Sequence, residues 1–257
     1  MFGFKKRRRA KYRAQPFPDD WIEILQRNVP YYRFLAPEDQ TELRGHVHVL
    51  LAEKHFEGCG GLTLTDEIRV TIAAWGAVLL LHRVTDYYPR LRSILVYPDA
   101  FVVPGDERLD DMEYLDEEDV RLGESWGLGA VVLAWKPIRD CATPRGQSQN
   151  VALHEFAHQI DEEDGITDGV PELDDDAAYE QWQIVMTGAY EALWRDIENN
   201  RESFLDEYGA THPAEFFAVL TETFFMRPHT LQRKHPQLYE VLHRYYRQDP
   251  AAILPKT

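Results

Sequence analysis

One run of residues constrains this chain more than any other: Val151-Ala152-Leu153-His154-Glu155-Phe156-Ala157-His158-Gln159-Ile160-Asp161. Two histidines stand four apart, and a glutamate directly follows the first. On a helix, positions i and i+4 lie one turn apart on the same face, so both imidazoles can reach one metal ion. Glu155 is rotated off that face by about 100° and projects beside the metal, where a carboxylate can take a proton from an activated water. Val151, Phe156, Ala157 and Ile160 supply apolar neighbours, and no Gly or Pro interrupts the run. The spacing therefore predicts a well-formed apolar helix, on which two unpartnered histidines would be expensive to bury.

A catalytic zinc site has three protein ligands and keeps a fourth position open. The metzincin continuation H-E-x-x-H-x-x-G-x-x-H fails, because Asp161 fills its glycine slot and Asp164 its last histidine slot. The alternative is a carboxylate from a later helix. The apolar stretch Ala214-Glu215-Phe216-Phe217-Ala218-Val219-Leu220-Thr221-Glu222 offers two. Glu215 sits among bulky apolar residues, a poor place for a free carboxylate, and is the expected third ligand. Glu222 lies two turns further along the same face, about 10 Å away, and reads either as a partner of a ligand histidine or as a surface charge. A purely structural zinc site would need a fourth ligand, and only three are evident.

The rest of the chain narrows the class. With 257 residues, 44% hydrophobic and 28% charged, it has the composition of a soluble globular protein with one large domain. A net charge of −16 opposes nucleic acid as the main partner. The exception is the basic run Lys5 to Arg13, read as part of a solvated, disordered arm over residues 1–18, with transient contacts to anionic lipid, RNA or the protein's own acidic surface as alternatives. No apolar segment follows it to make a secretory signal, and the longest apolar run, Ala73 to Leu81, is too short to span a membrane. Cys59 and Cys141 form no C-x-x-C pair. A reducing cytoplasm without a disulfide is expected.

Periodicity predicts an α-helical preface over residues 19–65, followed by a core over 66–257. Helices are expected at Trp21 to Gln26, Leu43 to Glu53 and Ile68 to His82. Strands are expected at Ser93 to Tyr97, Phe101 to Val103 and Gly127 to Trp135, with Asp106 to Glu118 as an acidic surface loop. Further helices follow at Ala177 to Ile197, Ala214 to Met226 and Leu238 to Tyr246. The fold class is α+β, mainly helical with a small β-sheet.

His154-Glu155-Phe156-Ala157-His158 with Asp161, then Tyr208-Gly209-Ala210-Thr211 and Ala214-Glu215-Phe216-Phe217-Ala218, resembles the catalytic domain of anthrax lethal factor, a gluzincin metallopeptidase. Over nearly all of the chain after the basic run, the sequence is similar to the Mlc titration factor A family of bacterial metallopeptidases. Leu95-Val96-Tyr97-Pro98, Gly123-Glu124-Ser125-Trp126, Val131 to Trp135, Pro213 to Leu220 and Tyr245 to Pro250 carry that likeness.

The resemblance implies a zincin-like fold in which His154, His158 and Glu215 are the Zn2+ ligands and Glu155 the general base. It places Tyr208 at an active-site tyrosine whose phenol would donate to the oxyanion of the tetrahedral intermediate. Asp161, about one turn beyond His158, is expected either to orient a ligand histidine or to be a plain charge at the helix C-terminus. The sequence departs from the lethal-factor pattern at Val219, where an acidic residue stands in that protein, and at His212-Pro213, in place of Asn-Glu. The implied activity is aminopeptidase-type hydrolysis of peptides, linked to binding a glucose-responsive transcriptional repressor, Mlc. The strand Val131 to Trp135 is expected to pair with an extended substrate. The rival expectation is a repressor-titrating binding protein whose hydrolysis is secondary.

Overall fold

The computed structural model describes residues 2–99, 101–102, 120–121, 123–126, 129–143 and 149–256. The chain opens with helices α1 (Phe2–Arg13), α2 (Asp19–Asn28) and α3 (Pro37–Glu53), with a short 3-10 helix at Pro30–Phe34 between the last two. Strand β1 (His55–Gly58) leads to α4 (Asp66–Val78), which begins at a Thr65 cap accepting a hydrogen bond from the Ile68 N–H. Strands β2 (Ser93–Tyr97), β3 (Phe101–Val102), β4 (Val120–Arg121), β5 (Gly123–Trp126) and β6 (Ala130–Ala134) follow. The rest is helical: α5 (Trp135–Asp140), α6 (Val151–Asp161), α7 (Asp176–Glu198), α8 (Pro213–Met226), α9 (Pro228–Lys234), α10 (Pro236–Tyr246) and α11 (Pro250–Ile253). The mainly helical α+β class expected from the sequence is what the chain adopts.

The disordered arm is a correction. Residues 2–13 form α1, because its cations find fixed acidic partners on the body of the protein. Arg9 binds both Glu53 oxygens at 2.8–3.1 Å and also engages Asp86, Lys5 binds Asp86 at 2.8 Å, and Arg8 reaches Glu53 at 3.1 Å. The Arg9 guanidinium also lies over the Tyr87 ring, 4.6 Å from its centroid. Arg9 and Glu53 are only 11% and 10% exposed, so this pair is better shielded from salt than an ordinary surface bridge.

The main sheet has the order β1-β2-β6-β5, with β1, β2 and β6 parallel and β5 antiparallel to β6. Alternation along β2 buries Ile94 and Val96, while β6 is buried from Val131 to Ala134. The expected strand is shorter than its sequence suggested, since Trp135 already begins α5. It is also an interior strand: β2 pairs with one edge of β6 and β5 with the other, so β6 has no free edge for a substrate. The outer strand on that side is β5, which lies against α6. The acidic stretch Asp106 to Glu118 lies outside the described residues.

Helix α6 is enclosed by the sheet, α4 and α8. Its contact with α4 depends on Gly76: a methyl group there would meet the Phe156 ring at 2.8–3.0 Å, so the two helices approach as closely as glycine allows. Cys59 and Cys141 are free thiols. Among the described residues no helix is long and apolar enough to cross a membrane.

Candidate metal centre

Helix α6 starts where Asn150 caps it, its Oδ1 accepting from the N–H groups of Ala152 at 3.1 Å and Leu153 at 3.2 Å. From that start, the one-turn spacing puts His154 and His158 on the face toward α8. Helix α8 begins at His212, whose Nδ1 accepts from the Ala214 N–H at 3.2 Å, with Pro213 in the first turn. Glu215 thus falls in the first turn of α8, where the helix dipole favours a negative charge.

These two helices bring three donor atoms together. Glu215 Oε2 lies 2.9 Å from His154 Nε2 and 3.2 Å from His158 Nε2, and the two Nε2 atoms are 3.3 Å apart. The side chains are only 9–23% exposed. Ligands at tetrahedral zinc distances stand roughly 3.3 Å from one another, so this triangle has the dimensions of one face of such a site. Three donors converging on one point also exceed what hydrogen bonding alone requires, because the two nitrogens face each other as well as the carboxylate. The donor set fits a divalent transition metal of the zinc class.

The electrostatics point the same way. Burial works against a charged His154, but hydrogen bonding to Glu215 and Glu222, with the charge of Glu155 nearby, pushes its pKa up to about 10. Burial also opposes ionisation of Glu215, yet His154 and His158 hold its carboxyl well below the usual range. The carboxylates that favour a proton on His154 would equally favour a divalent cation at its Nε2.

Glu155 is 4% exposed and lies on α6 between the two histidines in sequence. Glu222 sits with Oε2 3.7 Å from His154 Nδ1, on the side of the ring away from Glu215. Of the two expectations for this residue, the structure supports the one that pairs it with a ligand histidine. Tyr208, in the 3-10 helix Glu207–Ala210, places its ring centroid 6.0 Å from that of His154 while remaining 54% exposed.

Asp161 departs from expectation. Its Oδ2 accepts from the Gly169 N–H at 2.9 Å, so this oxygen is engaged with backbone. Burial, the largest influence, pushes its pKa up to about 6. Gly169 was not singled out in the sequence, yet it joins three elements. Its N–H meets Asp161 at the end of α6, its carbonyl accepts from Trp182 Nε1 on α7 at 3.2 Å, and its bare Cα packs against the Pro213 carbonyl at the start of α8. An Asp-Gly pair is a turn signal, but nothing in the local sequence reveals the close approach of a distant helix.

Comparison with known proteins adds a separate line of support. The model of a family described as glucose-regulated metallo-peptidase M90 matches residues 4–247. An uncharacterised protein of Synechocystis is 43% identical over 237 residues, covering 92% of this chain and 86% of that protein. Proteins named Mlc titration factor A from Yersinia pestis and Yersinia pseudotuberculosis are each 32% identical over 241 residues, covering 92% of this chain and 87% of theirs.

Proposed function

The chain belongs to the glucose-regulated metallopeptidase family M90, and from that premise we propose that it is a zinc-dependent peptidase with aminopeptidase-type action on peptides. The observation that carries the reading is the convergence of His154 Nε2, His158 Nε2 and Glu215 Oε2 beside buried Glu155.

In this reading His154, His158 and Glu215 hold the zinc. Bound there, zinc supplies Lewis acidity that acidifies water and polarises a peptide carbonyl. Glu155 accepts the proton of the attacking water on its carboxylate and later delivers it to the leaving amine, so its charge is restored at the end of the cycle. Burial of Glu155 shields that carboxylate from bulk water. Glu222 faces His154 Nδ1 and would fix the tautomer and tilt of that ring, leaving Nε2 to the metal. Tyr208 would swing from its exposed position to donate its phenol proton in a hydrogen bond to the developing oxyanion. Strand β5, the outer strand beside α6, takes over the substrate-pairing role expected of β6.

Glu155→Gln tests the division of labour. It keeps size and the metal ligands but removes the base, and a general base contributes about 10²–10⁴-fold. Zinc content should be retained while turnover of short peptides with free amino termini falls by that factor. Unchanged turnover would remove Glu155 from the chemistry, and equal cleavage of amino-blocked peptides would exclude aminopeptidase-type action.

A second reading is favoured by the names of the Yersinia relatives, which describe titration of Mlc. Here the chain acts chiefly by binding an Mlc-like transcriptional repressor in the cytoplasm, with hydrolysis secondary. If Glu155→Gln relieves repression as well as the wild type does, binding is the cellular task.

A further inference from the structure

The peptidase chemistry leaves the basic helix α1 without a task. Residues 5–13 carry seven cations, in a chain whose net charge is −16. The body of the protein answers them with two carboxylates, Glu53 and Asp86, which engage Lys5, Arg8 and Arg9. Lys6, Arg7 and Lys11 are exposed, and among the described residues they make no ion pair or hydrogen bond. Glu53 and Asp86 thus hold the helix in place without quenching its outer charge.

Helical geometry sorts these side chains onto two faces. Lys5, Arg9 and Tyr12, at i, i+4 and i+7, are the partly buried residues of α1 and face the body. Tyr12 packs against the core, and Arg13 lies so close to α3 that a methyl group at Gly45 would meet its side chain at 3.3 Å. The inner face is therefore fixed. Phe4, Arg7 and Lys11, at i, i+3 and i+7, run along the outer face, with the small residues Gly3 and Ala10 beside them and Lys6 at one edge. Phe4 is 76% exposed, an aromatic ring left in water among cations.

Unpaired cations and an exposed ring on one convex face fit a surface that offers negative charge with an apolar phase just beneath it. We propose that the outer face of α1 docks on an anionic phospholipid membrane, with Lys6, Arg7 and Lys11 on the headgroup phosphates and Phe4 at the boundary between headgroups and acyl chains. The acidic remainder of the chain does not forbid this, because charges beyond a Debye length of about 8 Å are screened at physiological ionic strength. Single-stranded nucleic acid fits less well: it is bound in basic grooves lined by successive stacking aromatics, and this face is an outward-facing helix with Phe4 as its exposed ring. One ring and a few cations give reversible, salt-sensitive association rather than permanent anchoring.

The test sediments the full-length protein with vesicles of phosphatidylcholine alone and of phosphatidylcholine mixed with phosphatidylglycerol, over a series of salt concentrations. The wild type should bind the mixed vesicles, leave the neutral ones, and come off as salt rises. Each cation near an anionic bilayer contributes about fivefold to partitioning, so the triple variant Lys6→Gln, Arg7→Gln, Lys11→Gln should bind about 100-fold more weakly. It should keep the wild-type Tm, because none of the three is paired within the protein. Phe4→Ala, which keeps every cation, should lose about tenfold through the missing apolar contact. A single-stranded RNA oligonucleotide at matched ionic strength should bind more weakly than the mixed vesicles. Equal binding to neutral and mixed vesicles, wild-type partitioning by either variant, or tighter binding to the RNA overturns the proposal.

Discussion

Replacing Gly169 with alanine perturbs the joint that sets Glu215 against the two histidines without touching any of the three. At φ +79° a non-glycine residue carries about 1–2 kcal/mol of strain. The added Cβ would lie 2.4 Å from the Pro213 oxygen and 2.8 Å from its carbonyl carbon, both backbone atoms, so one segment must move. Moving the loop weakens the Asp161 and Trp182 hydrogen bonds, each worth about 1 kcal/mol net. The sum is about 2–4 kcal/mol of lost stability, which urea unfolding in the presence of chelator would measure without a metal contribution. Moving the start of α8 instead displaces Glu215, two residues after Pro213, and lowers zinc affinity in a competition assay with a chromophoric chelator. Gly165→Ala is the control. It too has positive φ, but its Cβ meets the end of the flexible Arg90 side chain, so it should cost only the strain of about 1–2 kcal/mol and leave zinc affinity unchanged. If Gly169→Ala matches the wild type in both stability and zinc affinity, the role assigned to this joint is wrong.

Two further substitutions probe the same framework. Gly76→Ala drives a methyl group into the Phe156 ring on the metal helix and should cost about 1–3 kcal/mol as overpacking, measured by thermal unfolding; an unchanged Tm would contradict the tight α4–α6 approach. Asp161→Asn removes a buried carboxylate whose folded pKa is about 6 against an ordinary 3.8. Because the folded value is raised, the favourable contribution is complete below about pH 3.8 and is lost as pH rises through about 6, a difference of up to about 3 kcal/mol. The variant should therefore be more stable than the wild type at pH 8 and lose that advantage near pH 4. Urea unfolding at the two pH values checks this, and no gain at pH 8 would contradict it.

The parts of the site legible in the sequence were those encoded by local spacing or by an improbable setting. His154 and His158 needed only the helical repeat, and Glu215 stood out as a carboxylate between Ala214 and Phe216. What the sequence hid depended on partners far along the chain. The basic run looked solvated because Glu53 and Asp86, which order it, lie more than 40 residues away. The position of β6 inside the sheet follows from pairing with β5, a four-residue strand rich in Gly and Ser with little strand signal of its own. Asp161 suggested a histidine partner by proximity along α6, but the loop at Gly169 folds back to claim its Oδ2. Helix α9 was not expected between Met226 and Leu238, because from local sequence Pro228 reads as readily as a helix stop, whereas here it stands in a first turn and starts one.

The central claim is that His154, His158 and Glu215 hold a catalytic zinc. Its most direct test is the zinc content and peptide turnover of the wild type and of Glu215→Ala, before chelation, after chelation and after Zn2+ is restored. The account predicts one tightly held zinc in the wild type, loss of turnover on its removal and recovery on its return. It predicts that Glu215→Ala lacks both the tight zinc and the activity. Turnover that survives complete removal of metal, or a Glu215→Ala protein that keeps the tight zinc, would contradict it.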